Sequence, residues 1–585
     1  MQLIIAEKPS VGRNIAAIIG ANKKNNGYFE GNGYLVSWCI GHLVGLVEAP
    51  KYDGRYSKWQ RDDLPIIPKT WKYSVFDNKK MQFNILKKLM NQSDVESIIC
   101  ATDAGREGEL IFRLVYDEAQ CNKPFFRLWI SSMEESAIKK GFENLQDGNK
   151  FDPLYESALC RAKADWLIGI NATRLYSTIH GKTLNVGRVQ SPTLAMVVDR
   201  QQKIQGFIKE KYYMVRLKFD GIEAISGQLN SQEKAEQIKN ACQNKQAKCV
   251  SLITERKTTA PPKLFDLTSL QRESNRLFEL TAKQTLDSAQ KLYEQKLITY
   301  PRTDSRFLTS DMEDTVTKLT PIVREFLSLE TATPENVPQV INDKKVTDHH
   351  AIIPTAEIAK VKIDSLDENT QKVLLLISSR LISALADRHE YDSTTAVFEC
   401  EGQTFTTTGK TIYKDGFKAL DPHFRKLLNL SEKKANTADA AEMLPQINEG
   451  QVFDKIAVSV TDHLTKPPVP FTEDTLLSAM ERAGVDETDK NAERKGLGTP
   501  ATRAAIIEKL VSGRFIERKG KQLFPTASGE FLVSILPKTL TSASLTAEWE
   551  NHLTLISDSK MSPDEFMGRI EGMVRELVAN GGDGK

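Results

Sequence analysis

Along the first 150 residues, short apolar runs alternate with stretches whose apolar residues recur every three or four positions. "QLIIA" reads as a short buried strand. "SVGRNIAAIIG" reads as the helix behind it, with Ser10 as N-cap and Gly20 as stop. "SIICAT" is a second strand, followed by "DAGREGE" and a helical run through "LIFRLVYDEA". "FFRLWIS" is a third, and Ser131 and Glu134 behind it suit a capping box. Strands alternating with helices predict an α/β domain with a mostly parallel sheet over 1–150.

The pattern then changes. Residues 151 to about 210 read as helical. Period-two alternation follows to about 260, as in "YYMVRLKF", and returns from about 390 to 460. Pro261 and Pro262 mark a boundary between strands and a helical insert, which includes the buried helix "VLLLISSRLISALA". The tail from 470 is helical, with one hairpin at "RFIERKGKQLFP" behind a helix from Pro500, a winged-helix-like order. The β material is thus split in two around a helical insert.

A chain of 585 residues implies several domains. The 79 basic and 77 acidic residues leave a net charge of +2. That balance neither supports nor excludes a polyanionic partner, since a neutral chain can carry a basic groove. "MQLIIAEKPS" lacks a basic signal-peptide start, and no apolar run approaches the ~20 residues of a membrane helix. The expectation is a cytoplasmic protein with no membrane partner. The seven cysteines include no CxxC pair, which argues against disulfides and zinc ribbons.

Two places carry candidate chemistry. Glu7 and Lys8 follow the first strand; Asp103 follows another, with Glu107 and Glu109 just behind. Residues past the carboxyl ends of parallel strands line the ligand crevice. Carboxylates gathered there repel one another unless a cation sits between them, and Mg²⁺ suits a few carboxylates beside a phosphate substrate. A solvated acidic turn is the plainer alternative. The second place is "LITYPRTDSRF". Tyr300 is a poor nucleophile at its ordinary pKa near ~10. It becomes useful when cations such as Arg302 and Arg306 stabilise its oxyanion and the phosphate it attacks. Local spacing alone equally allows a structural corner.

"AEKPS" with "ATDAGREGELIFR" resembles the Toprim domain of type IA DNA topoisomerases, and "ITYPRTDS" resembles their active-site signature. "ALCRAKADWLIGINATRLYS" resembles the helical segment that lines the single-strand groove, and "NVGRVQSPTLAMVVDR" resembles the neighbouring DNA-contact segment. "DHHAIIPT" resembles the family's histidine motif, and "GLGTPATRAAIIEKL" its glycine-threonine loop at the DNA channel. These pieces lie in family order from residue 2 to beyond 503, and the length without zinc ribbons favours the topoisomerase III branch.

The resemblance implies a multi-domain α/β and α+β toroid. Its parts would be a Toprim domain (1–150), a helical groove domain (151–212 and 465–585), a β-rich arch (213–265 and 390–464), and a helical domain carrying Tyr300 (266–389). It implies catalytic roles for Tyr300, Arg302, Glu7, Lys8 and His349, with His350 the lesser neighbour. It implies one Mg²⁺ held by Glu7, Asp103 and Glu107, with no ATP and no zinc. The family's D-x-D-x-E triad is broken here, since Gly105 stands where the second Asp is expected. DNA contacts would come from Trp59, Arg61, Arg161, Lys163, Asp165, Asn171 and Arg174. Gly187, Arg188, Val189, Gln190, Ser191, Pro192, Thr499, Thr502 and Arg503 would add to them. Spacing alone lets several of these be helix decoration, with Arg161 and Asp165 paired four residues apart. The implied substrate is single-stranded and negatively supercoiled DNA, handled by a monomer, with a helicase or single-strand-binding protein as further partner. The rival readings are a Toprim nuclease or primase, a weakly active single-strand clamp, and a topoisomerase I-like relaxase.

Overall fold

The computed structural model of the chain describes residues 1–130, 135–330, 335–346, 349–430, 444–487 and 496–581. The capping box expected at Ser131 and Glu134 lies outside the described residues.

The strand Gln2–Ala6 is flanked in parallel by Tyr34–Trp38 and Ser97–Ala101, and Phe125–Arg127 extends the parallel core. Antiparallel strands close both edges, giving a seven-stranded sheet. Ile4, Ile5, Ile98 and Ile99 are fully buried. Unbroken apolar strands of this kind need cover on both faces. Helices Pro9–Ile19, Lys80–Met90 and Arg106–Glu118 supply burial for these faces. Ser10 is not the N-cap of the first helix. Pro9 occupies its first turn, and Lys8 before it is extended without a side-chain cap. Proline belongs at that position because the missing N–H would be unpaired anyway. Gly20 does end this helix, in the left-handed conformation at φ 80°.

A second seven-stranded sheet is antiparallel throughout and draws on two separate stretches of chain. Ala247–Thr259 pairs along its length with His389–Cys400, and Lys211–Phe219 with Ala457–Leu464. The chain leaves this sheet at Thr259 and returns at His389, so the helical stretch between hangs from one pair of strands. That insert has its own core around Leu270, Leu292, Val316 and Leu381. The long helix Asp152–His180 shares another core with the C-terminal helices, through Leu167, Leu175, Leu510, Trp549 and Ile570. The hairpin read near 515–525 is present, with Ile516–Lys519 paired to Gln522–Pro525. Among the described residues, no helix is long and apolar enough to cross a membrane.

Candidate active site

Strands Gln2–Ala6 and Ser97–Ala101 run in register, Ala6 opposite Ala101, so Glu7 and Asp103 emerge side by side at their carboxyl ends. The Asp103 backbone N–H donates to Glu7 Oε2 at 3.2 Å. Lys8 Nζ lies 2.8 Å from Asp103 Oδ2 and 3.3 Å from Glu7 Oε1. The insert brings Tyr300 onto this cluster. Its loop is pinned by Thr299, whose N–H donates to Ile353 O (2.9 Å) and whose hydroxyl donates to Ala351 O (3.1 Å). Thr303 Oγ1 donates to His349 O at 2.7 Å. These bonds hold the tyrosine loop against the histidine segment. Lys8 Nζ sits 3.7 Å from the Tyr300 ring centroid. The His349 ring meets Tyr300 edge-on at 4.5 Å, with Nε2 3.0 Å from Asp103 Oδ2 but not aligned as a hydrogen bond.

This crowding sets the charges. Burial pushes the Glu7 carboxyl above its ordinary value, and the Asp103 charge adds to that. Burial would also raise Asp103, but His349 and Lys8 outweigh it and hold Asp103 well below the carboxylate range. Lys8 stays cationic far above its usual value, because Asp103 and Glu7 overcome its burial. Burial raises the Tyr300 hydroxyl too, with Lys8 only partly offsetting it. Two adjacent carboxyls are thus driven apart, a pattern that separates acid from anion.

Among the described residues, no group of three or more His, Cys, Asp or Glu side chains is arranged around a common metal position. Glu107 instead faces His42 Nε2 at 2.6 Å and pairs with Arg161. Glu7 and Asp103 still fit one cation. Asp103 Oδ1 is buried with no hydrogen-bond partner, beside a second carboxylate. Two carboxylates with an orphaned oxygen suit a hard ion that keeps most of its waters. Gly105 caps the helix Arg106–Glu118 with extended backbone at φ −173°, a conformation open to any residue.

The other sequence candidates are dispersed. Arg302 is exposed, while Arg306 is committed to Asp266 (2.6 Å) and Glu481 (3.5 Å). His350 Nδ1 contacts Ala351 O at 2.9 Å. Arg161 and Asp165 do not pair as their spacing allows; Asp165 pairs with Arg188 at 2.9 Å. Both partners found better geometry across the fold than along the helix. Exposed Trp59 lies 5.4 Å from the guanidinium of Arg174, whose Nε and Nη1 are buried without partners. Arg61 is exposed nearby in sequence. Lys163 stands over the Trp71 ring at 5.6 Å, and Asn171 is buried, bonded to both N and O of Ile66. Gly187 N–H donates to Ser191 Oγ at 3.2 Å; Gln190, Ser191 and buried Pro192 open the helix Gln190–Gln205. Val189 packs against Gly498, whose φ of +70° and tight surroundings leave little room for a side chain. Thr499 and Thr502 form the capping box of helix Pro500–Ser512, and buried Arg503 donates to Thr268 at 2.9 Å. Sequence reasoning missed His42, because a lone "GH" in a loop has no spacing that marks it.

Comparison with known proteins accords with this geometry. Residues 2–133 match the Toprim domain and residues 149–568 match the DNA topoisomerase family. DNA topoisomerase 3 of Bacillus subtilis (strain 168) is 40% identical over 98% of this chain and 81% of its own length. DNA topoisomerase 3 of Bacillus cereus (strain ATCC 14579) is 38% identical over 99% of this chain and 81% of its own. The solved structure of full-length topoisomerase I from Thermotoga maritima shares the fold at a TM-score of 0.71 and 22% identity. That match covers 98% of this chain and 90% of the other. With the family matches and these relatives in agreement, this chain belongs to the type IA DNA topoisomerases and is topoisomerase III-like.

Proposed function

We propose that Tyr300 is the nucleophile that opens one DNA strand, and that Glu7, Lys8, Asp103, His349 and Arg302 serve that step. The observation that carries this reading is the Tyr300 ring lying 3.7 Å from Lys8 Nζ and 4.5 Å from the His349 ring, over adjacent Glu7 and Asp103. A tyrosine from the insert meets phosphate-binding and acid groups from another domain.

Tyr300 Oη attacks the phosphorus and gives up its proton as the bond forms. The bond to the 3′ oxygen breaks, leaving a 5′-phosphotyrosine. Glu7, whose burial favours its protonated form, donates a proton to the departing oxygen. One proton leaves Tyr300 and one reaches the 3′ oxygen, and the phosphodiester energy stays in the new bond, so no ATP is needed. Lys8 and exposed Arg302 carry the charge that builds on the phosphate, as donors fixed before the reaction. His349 orients the Tyr300 ring. Reversal reseals the strand after another has passed, which relaxes negative supercoils and separates linked DNA. Glu7 and Asp103 would hold one Mg²⁺, which supplies charge neutralisation for the cleaved ends when bound. Single strands would run along the helix Asp152–His180, stacking on Trp59 and meeting Lys163, with buried Arg174 backing the Trp59 ring rather than facing the strand. The two stretches 213–265 and 390–464 would serve as the arch on which 266–389 lifts.

Incubation with labelled single-stranded DNA tests the reading. A denaturant-stable protein–DNA adduct, lost in Tyr300→Phe, is expected. Nicking with no adduct would favour a nuclease instead.

A further inference from the structure

Glu109 belongs to the acidic run behind Asp103, yet it is fully buried and faces away from the carboxylate pair. Its Oε2 lies 3.0 Å from Arg127 Nε, and its Oε1 accepts from Arg113 Nε at 3.0 Å. Arg127 is itself completely buried. Its Nη2 donates to Asp103 O at 2.6 Å, and its Nη1 to Thr102 O at 2.7 Å and Cys100 O at 3.2 Å. These carbonyls lie where the strand Ser97–Ala101 ends and the Asp103 loop begins. Carbonyls that leave a ladder while still buried must find donors elsewhere. Cys100 O also accepts from Leu128 N–H and Asp103 O from Gly105 N–H, each at 2.9 Å, while Arg127 is the donor to Thr102 O. One guanidinium, with five donors in a rigid plane, ties the three together. A buried cation in turn needs an anion, and Glu109 supplies it. Arg113 extends the chain to Gly148 O (2.9 Å) and to Asp152 Oδ1 (2.6 Å), the first residue of the groove helix.

We infer that Arg127, oriented by Glu109, is a positioning residue that fixes the Asp103 loop in its metal-binding geometry. The inference rests on the reading of Glu7 and Asp103 as the Mg²⁺ carboxylates. Arg127 touches neither the metal position nor Tyr300 through its side chain. It acts through the main chain of Asp103. Arg127 Nε and Glu109 Oε2 are close but not aligned as a hydrogen bond, so Glu109 supplies charge while Nη1 and Nη2 serve the carbonyls. A lysine there would keep the charge for Glu109 but offers a single point of donation, which cannot reach the Thr102 and Asp103 carbonyls together. The loop would then loosen and Asp103 would meet the ion less well prepared. Loss of such supporting contacts costs metal affinity about 10- to 100-fold.

Thermal unfolding of the full chain, titrated from EDTA into MgCl₂, reads this without turnover. The wild type should gain stability with Mg²⁺, and Asp103→Asn should not. Arg127→Lys should still bind single-stranded DNA in EDTA as the wild type does. Its Mg²⁺ midpoint should move up about 10- to 100-fold. A lower melting temperature with an unmoved midpoint would overturn the inference, because Arg127 would then be scaffold only. If Arg127→Lys does not fold, the near-isosteric Glu109→Gln decides. A raised midpoint there supports the inference and an unmoved one overturns it. If the wild type shows no Mg²⁺ response, or Asp103→Asn retains it, the metal reading itself falls and this inference with it. That outcome is distinct from a response present in the wild type and unchanged in Arg127→Lys.

Discussion

Replacing Lys8 by methionine should leave the N-terminal domain dependent on Mg²⁺ for its stability. The ammonium stands 2.8 Å from one carboxylate and 3.3 Å from another, under an aromatic ring at 3.7 Å. At an effective dielectric near ~20, each ion contact is worth about 5–6 kcal/mol before desolvation is subtracted. Breaking such a buried pair costs about 3–5 kcal/mol net, since the remaining charges are stranded. For a domain of this size that is a fall of roughly 6–20 °C in the melting temperature. Glu7 can relieve part of the loss by taking a proton, because it already sits above its ordinary value and Lys8 is what lowers it. The deficit should therefore shrink as pH falls. Under the proposed reading, Mg²⁺ between the same carboxylates would replace the missing charge, so millimolar MgCl₂ should return most of the lost stability. Strand cleavage should stay impaired by about 10²–10³-fold, the scale of one lost oxyanion donor. The assay is a melt in EDTA and in MgCl₂ at two pH values, beside an adduct assay on single-stranded DNA. A Lys8→Met protein that melts like the wild type in EDTA would refute the argument that Lys8 compensates this pair.

Tyr300→Phe should abolish the covalent adduct while binding single strands normally; residual relaxation of supercoiled DNA would remove Tyr300 as nucleophile. Glu7 has a folded pKa above its unfolded value of about 4.3, so its penalty is absent below that pH and grows as pH rises through the folded value. Glu7→Gln should accordingly raise the melting temperature in EDTA at pH 7 but not at pH 4; an equal gain at both would contradict the assignment. Lys163→Ala should reduce the salt slope of single-strand binding by about 0.7, one phosphate contact, which fluorescence anisotropy across salt concentrations checks. Gly105→Asp should fold, since its backbone is extended and an Asp can cap the helix behind it, and it should lower the Mg²⁺ needed for relaxation. An unchanged Mg²⁺ requirement in a stably folded Gly105→Asp protein would show that position 105 does not face the ion.

The periodicity of the chain determined much by itself. Alternating apolar runs and amphipathic helices set the parallel sheet, because a strand buried on both faces and a helix buried on one leave different spacings. Ordered motifs such as "ITYPRTDS" and "DAGREGE" named the family. Local spacing misjudged the partners of charged residues. Arg161 and Asp165 stand four apart, yet one meets Glu107 and the other Arg188. Ser10 lies inside the first turn behind Pro9, with Lys8 at the cap position, and its hydroxyl lies 3.1 Å from Tyr293 in the insert. Glu107 and Glu109 look alike beside Asp103 in sequence, but one turns to His42 and the other into a buried pair of arginines. Only the tertiary structure brought Tyr300 over Lys8, across nearly three hundred residues of chain. Burial is what separates these cases. Apolar periodicity records which face of an element leaves water, and it is written locally. An ion pair or a shifted carboxyl depends on which charges meet after water has gone, and those come from distant segments that only the assembled fold brings together.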